Sequence, residues 1–299
     1  RTASNHFGEG RSGSRRVVSR TMQNTPLQYS DKIDEATRYV RQHIANEPRV
    51  AIILGTGLGR LATHIKPEAT LPYHEIPHFP QSTALSHQGQ LVLGTLENIP
   101  VVAMQGRFHL YEGYPVTDAV LPVYVMQRLG AEILVVSNAS GGVNPKFTGG
   151  DIMVMNSHIN LMFRKNSELY NNSLVSMSSE QTGTLVYDRE LIDQALQTGR
   201  EQDFYIHEGC YVGLTGPNYE TRSEYRMVRK IGGDVVGMST IPEVLAAHSL
   251  QMKVLALSAV TNVAKPDALS ETTAEEVVDI ARLAEPKLTA IVTDLLRNL

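Results

Sequence analysis

Residues 50–59 read Val50-Ala51-Ile52-Ile53-Leu54-Gly55-Thr56-Gly57-Leu58-Gly59, and the fold follows from how this stretch is taken. Five apolar residues bounded by turn signals predict a strand buried on both faces, as in a covered sheet. The glycines predict a tight turn into a helix. Its backbone N–H groups, the positive helix end and the Thr56 hydroxyl would suit an anion. Many such turns hold glycine only to turn, so the loop alone is a weak signal. Two specific alternatives fail. The dinucleotide fingerprint needs G-x-G-x-x-G and a later acid at a strand end, but here the spacing is G-x-G-x-G. Glu75 lies in Pro72-Tyr73-His74-Glu75-Ile76-Pro77, which is no buried strand. No G-K-[ST] occurs, so the Walker lysine is missing too.

Upstream, Ile33, Thr37, Val40 and Ile44 recur at helical spacing from Ser30 until Pro48. Downstream, strands are predicted at Leu91–Leu96, Val101–Met104, Ile133–Ser137, Asp151–Met155, Cys210–Leu214 and Lys253–Val260. Helical patterns fall between them at Thr117–Leu129, Arg189–Glu201, Ser223–Ile231 and Pro242–Leu250. A C-terminal helix starts near Thr273 and is expected to bend or break near Pro286. This alternation predicts an α/β fold around a central sheet. Leu91–Leu96 and Val101–Met104, joined by Glu97-Asn98-Ile99-Pro100, read as a hairpin, which makes the sheet mixed. No repeat or low-complexity linker divides 22–299, which reads as one domain.

Composition narrows the class. With 299 residues, 42% apolar and 19% charged, the chain can bury a sizeable core and is too apolar for disorder. No apolar run approaches about 18 residues, which speaks against a spanning helix. A single cysteine, Cys210, excludes an internal disulfide and a thiolate zinc cage and points to the reducing cytoplasm. Cys210 sits in a strand-like run and is expected to be inert core. The net charge of −4 argues against nucleic acid or an anionic membrane as partner. That figure averages unlike parts. Residues 1–21 hold five arginines against Glu9, a charge of +4, and the rest from Met22 holds −8. Basic arms can bind nucleic acid, and arginine with serine is also the composition of transit peptides. The plainer reading of 1–21 is a disordered leader upstream of a domain that begins at Met22.

Two standard catalytic signatures are missing: no G-x-S-x-G and no cysteine pair. Instead, polar stretches terminate apolar strands. Gln105-Gly106-Arg107-Phe108-His109-Leu110-Tyr111-Glu112-Gly113 follows one, and Ser137-Asn138-Ala139-Ser140-Gly141-Gly142 another. Thr215-Gly216-Pro217-Asn218-Tyr219-Glu220 follows a third, and Gly237-Met238-Ser239-Thr240 and Thr261-Asn262 add two more. Ligands of open α/β sheets gather outside the carboxyl ends of strands, so together these stretches predict a site. Arg107 and His109, at i and i+2, project to one side of an extended segment. Arginine offers a planar fork suited to phosphate or carboxylate. Glu220 and Asn262 supply an acceptor and an amide, the groups that read a heterocycle edge.

Taken in order, the motifs GTGLG, SHQGQLVLGTL, QGRFHLYEGYP, NASGGVNPKFTGGDIM, SHINL, GPNYET, GGDVVGMSTIPEV and SAVTN resemble the trimeric, 6-oxopurine type of purine nucleoside phosphorylase. The match runs from about Val50 to Asn262. It implies a phosphorylase/hydrolase-like three-layer α/β fold with a mixed, partly barrel-like central sheet, and a cytoplasmic homotrimer. By position it implies phosphate held by Thr56, His87, Arg107, His109, Ser239 and the backbone N–H of Ala139. Tyr111 and Met238 would contact the ribose, Tyr219 cover the purine, and Glu220 with Asn262 read it. Val236 and Thr261 would line the base pocket. Asn262, Glu220 and His109 are the candidates for catalytic roles. The implied reaction is reversible phosphorolysis of purine (2′-deoxy)ribonucleosides such as inosine and guanosine. Orthophosphate is the co-substrate, with no metal or other cofactor.

An ionised Glu220 only accepts, which suits the N1–H of hypoxanthine or guanine and opposes the bare N1 of adenine. Two departures from the family pattern stand out. Ala274 occupies the place of a histidine that reaches the ribose 5′-hydroxyl. Residues 162–184 replace the stretch that supplies an aromatic lid, with Tyr170 as its candidate. Ser140 replaces a common alanine. Alternative readings are a methylthioadenosine or methylthioinosine phosphorylase, or a non-catalytic purine- or phosphate-binding protein.

Overall fold

The computed structural model describes residues 28–56, 59–82, 88–162, 186–264 and 273–299. Strand β1 (Val50–Leu54) is buried at every position. It is flanked in parallel by β4 (Ile99–Gln105) and β5 (Ile133–Gly142), so only an apolar run fits there. The β4 edge continues through β3 (Gln90–Leu96) to β2 (Lys66–Pro72), both pairings antiparallel. The predicted β3–β4 hairpin is present, and Leu96 pairs with Ile99. Glu97 and Asn98 form the turn with φ of 51° and 64°, the left-handed conformation that a two-residue hairpin loop demands.

Beyond β5 come β8 (Val235–Gly237), β7 (Ile206–Gly213), β6 (Ile152–Asn160) and β9 (Lys253–Val263), and β9 pairs back onto β5. These five strands close into a barrel, while β2, β3, β4 and β1 extend from β5 as an open wing. The mixed, partly barrel-like sheet expected from the resemblance is what forms. Strand β5 belongs to both parts. On one edge it pairs with β9 along Ile133–Gly142. On the other edge Ile133–Val136 pair with β1, and Gly141 and Gly142 pair with β8. Across 137–140 that edge is passing from wing to barrel, and the polar part of the strand lies there.

Six α-helices cover the sheet among the described residues: α1 (Tyr29–Arg41), α2 (Val116–Leu129), α3 (Arg189–Glu201), α4 (Arg222–Lys230), α5 (Ile241–Ser249) and α6 (Ala274–Arg297). Helix α2 is buried nearly all round, consistent with its apolar sequence. Asp188 caps α3 by accepting from the Leu191 N–H at 3.0 Å. No described helix is long and apolar enough to cross a membrane.

Several expectations need correcting. The glycine loop leads not into an α-helix but into a 3-10 helix of six residues, Gly59–His64, so no long helix dipole faces the loop. Helix α1 ends at Arg41, well before Pro48. Helix α6 runs through Pro286 as one element of 24 residues. Burial of Ala284, Leu288, Ile291, Val292, Leu295 and Leu296 offsets the proline penalty of about 3 kcal/mol. Strands β2 and β8 were not foreseen: β2 is largely exposed and contains two prolines, and β8 has only three residues. Cys210 is half-buried rather than core. Burial pushes its thiol pKa up, away from thiolate reactivity. The predicted leader, 1–21, lies outside the described residues, as do Tyr170 and nearly all of 162–184.

Candidate active site

Strand β4 ends at Gln105, and Gly106, with φ of 110°, turns the chain so that Arg107 enters the interior. Arg107 is 1% exposed. Its Nε donates to Glu243 Oε1 at 2.9 Å, and its Nη1 donates to the Ser137 carbonyl at 2.8 Å and to Ser239 Oγ at 3.3 Å. A buried ion pair of this kind gains little net stability over an apolar pair, but it fixes the guanidinium plane. Gly55 passes so close to β5 that an added Cβ would lie 2.7 Å from the Ser137 oxygen and 2.8 Å from Asn138 Cα. The glycine is there for that approach.

Ser239 and Thr240 follow β8. The Tyr211 hydroxyl accepts from the Ser239 N–H and donates to its carbonyl, each at 3.2 Å. Thr240 is fully buried with φ of 72°, an outlier for a β-branched residue. Its Oγ1 accepts from Asn138 Nδ2 at 2.8 Å and lies 3.1 Å from Ser239 Oγ. Strain held by such bonds is typical of a site whose geometry matters more than its local energy. His109 is oriented by Glu112, whose Oε1 accepts from the His109 backbone N–H at 2.7 Å and lies 3.0 Å from Nδ1. A carboxylate only accepts, so Nδ1 carries the proton in this arrangement. The ring stacks on Tyr111 at 4.7 Å and 15°.

The other end is built from the barrel. Glu220 follows β7, and Thr261 and Asn262 lie on β9. The Thr261 hydroxyl is 3.1 Å from the Ser140 carbonyl and 3.2 Å from Asn262 Oδ1. Burial raises the Glu220 carboxyl pKa, while its own backbone N–H and the Tyr225 hydroxyl pull it back.

A single cavity of about 380 Å³ joins the two ends, a size suited to a small metabolite. It is lined by Thr56, Arg107, His109, Ala139 and Ser239, and by Tyr111, Tyr219, Glu220, Val236, Met238, Thr261 and Asn262. These are all the residues anticipated from the sequence except His87, which lies outside the described residues. Tyr219 stands at the rim, 54% exposed. Val277 and Val278 of α6 and Tyr225 of α4 also line the cavity and were not anticipated. Nor were Glu243 and Glu112, which hold Arg107 and His109. Glu112 lay in plain view three residues after His109, whereas Glu243 is 136 positions from Arg107 and gave no local signal.

Chemically, the cavity has cationic and hydroxyl donors at one end, an apolar middle, and an acceptor beside an amide at the other. A family model described as the phosphorylase superfamily matches residues 49–297. Purine nucleoside phosphorylase 1 of Bacillus subtilis is 44% identical over 239 residues, which cover 78% of this chain and 86% of the relative. A crystal structure of a schistosoma purine nucleoside phosphorylase in complex with hypoxanthine superposes with a TM-score of 0.80 at 37% identity, covering 91% of this chain and 99% of that one. The Schistosoma mansoni enzyme in complex with adenosine gives the same identity, coverage and TM-score.

Proposed function

The chain belongs to the phosphorylase superfamily, among the purine nucleoside phosphorylases, and from that premise we propose that its cavity cleaves purine (2′-deoxy)ribonucleosides with orthophosphate to give free base and (deoxy)ribose 1-phosphate. One observation carries the reading: a buried arginine with hydroxyl donors and a carboxylate–amide pair face one cavity of nucleoside size. Phosphate sits with Arg107, Ser239, Thr56, His109 and the Ala139 N–H. The ribose sits between Tyr111 and Met238, and the base lies with Glu220 and Asn262. As C1′–N9 breaks, its electron pair moves onto the purine and C1′ becomes cationic. Asn262 donates to O6 or N7, where the charge develops, and a phosphate oxygen forms the new bond to C1′. These groups supply the charge stabilisation, and the reading calls for no cofactor beyond phosphate as co-substrate.

Base choice follows from the acceptor character of Glu220. A 6-oxopurine presents N1–H to it, whereas adenine presents a lone pair. A buried mismatch of this kind costs up to about 10⁴–10⁵ in kcat/KM. The S. mansoni relative has been crystallised with adenosine, so for this chain adenosine is expected to bind while turning over slowly. The deciding experiment is a panel of inosine, guanosine, adenosine and methylthioadenosine, each with and without phosphate. Phosphate-dependent turnover of inosine and guanosine is expected. Comparable rates with adenosine would overturn the base assignment, and no turnover at all would favour a binding protein. The methylthio reading draws on one observation, the apolar wall of Val277 and Val278. A preference for methylthioadenosine in the same panel would establish it.

The carboxylate of Glu285, buried on α6, accepts from the Arg60 N–H at 2.5 Å, in the 3-10 turn that follows the glycine loop. On this reading the bond anchors the turn that begins three residues after Thr56. Glu285→Ala is expected to raise the KM for phosphate roughly tenfold, the size of one hydrogen bond to a charged group. The KM for inosine should change little. Equal phosphate KM values for variant and parent would refute this.

A homotrimer in the cytoplasm completes the proposal. Sedimentation velocity should give three times the 32.9 kDa chain mass, and a stable monomer would reject the trimer.

A further inference from the structure

Ser258 lies on β9 opposite Asn138 of β5 and is fully buried. Its hydroxyl has one hydrogen-bond partner among the described residues, Asn138 Oδ1 at 3.0 Å. Any other direction would strand the hydroxyl hydrogen in the interior, so Ser258 donates and the amide oxygen of Asn138 accepts. The remaining contacts follow from that one donor. With its oxygen turned to Ser258, Asn138 presents Nδ2 to Thr240 Oγ1 at 2.8 Å. Thr240 is fully buried too, and beyond that amide its hydroxyl meets, among the described residues, only Ser239 Oγ at 3.1 Å. The Thr240 hydrogen goes to Ser239, since the opposite direction would leave it without an acceptor.

Ser239 Oγ then accepts twice, from Thr240 and from Arg107 Nη1 at 3.3 Å. Both lone pairs are taken, and its own hydrogen has no acceptor among the described residues. Ser239 lines the cavity at the end where Thr56, Arg107 and His109 stand, whereas Thr240 is not part of the lining. We propose that Thr240 is a positioning residue for the anion subsite: by donating to Ser239 it reserves the Ser239 hydroxyl hydrogen for an oxygen of phosphate. This rests on the phosphorolysis reading above.

The relay has a chemical consequence. A serine hydroxyl can ordinarily donate or accept, and here it is made a donor only. It therefore matches an unprotonated phosphate oxygen and opposes a group that brings its own hydrogen to that spot. Without the Thr240 donor, Ser239 keeps a second lone pair open and its hydrogen is no longer committed to the cavity. The direction is set by Ser258, two contacts further back in the barrel interior, and so does not depend on the phosphate being present.

The test is a double-substitution cycle in the full chain: Thr240→Val and Ser239→Ala, singly and together, with Thr240→Ser to restore the hydroxyl. Steady-state KM and kcat are measured for phosphate and for inosine. Thr240→Val is expected to raise the KM for phosphate about tenfold and to leave the KM for inosine within about twofold of the parent. Thr240→Ser should bring the phosphate KM back to within about twofold of the parent. On the Ser239→Ala background, where the hydrogen is already gone, Thr240→Val should add nothing. KM does not depend on how much of a preparation is folded, and Thr240→Ala, which is smaller than threonine, answers where valine is not accommodated. A parent-like phosphate KM in Thr240→Val and Thr240→Ala overturns the proposal. So does an equal rise on the Ser239→Ala background, which would make Thr240 a packing residue only. A parent enzyme that fails to turn over inosine with phosphate would instead overturn the function, and this proposal with it.

Discussion

Arg107→Met is expected to lower kcat/KM for phosphate by about 10³-fold or more, because the phosphate end of the cavity would lose its fixed fork of donors. The effect should fall on phosphate rather than on nucleoside binding, since Glu220 and Asn262 are held by the barrel and do not touch Arg107. Stability should fall as well. Glu243 is 5% exposed and would lose the partner 2.9 Å away, and breaking a buried pair from one side costs about 3–5 kcal/mol. Arg107→Met with Glu243→Gln separates the two effects. The double variant removes the orphaned charge, so thermal denaturation should recover much of the loss while activity stays absent. Retention of phosphorolysis within tenfold of the parent by either variant would remove Arg107 from the phosphate subsite.

Asn262→Ala is expected to lower kcat for inosine by about 10²–10³-fold, the usual loss on deleting one donor aimed at developing charge. Its KM for phosphate should be nearly unchanged, because that end is built from other elements. The donor acts most strongly once the purine carries the electrons of the broken bond, so the loss belongs in kcat rather than in substrate affinity. Single-turnover measurements with saturating inosine and phosphate would show it as a slower chemical step. A variant whose deficit lay wholly in the KM for inosine would assign Asn262 to binding alone.

The sequence carried the wing and barrel unevenly, for physical reasons. VAIIL at Val50–Leu54 was readable because a strand with two parallel neighbours must be continuously apolar. β8, the three residues Val235–Gly237, was too short for any pattern, and Lys66–Pro72 carries prolines that argue against a strand. Pro286 misled because its penalty is local while the burial that offsets it is spread along α6. In the site, residues inside long motifs were found, because each motif ends a strand at the cavity. Their support was not, since Glu243 lies on a helix whose spacing reads as ordinary amphipathic pattern.

The passage of β5 from wing to barrel has a mechanical meaning. Thr56, Arg107 and His109 ride on the wing, Glu220, Thr261 and Asn262 ride on the barrel, and Ala139 sits on the strand the two share. On the proposed reading, the spacing between nucleophile and leaving group is referred to this shared strand, while loops leaving the neighbouring strands carry Thr56, Arg107, His109 and Glu220. The rise along the strand is about 3.3 Å per residue. Deleting or inserting one residue within 138–140 would displace one reactant against the other by roughly that rise. Bond formation tolerates far less, so this segment should admit substitutions more readily than any change in length.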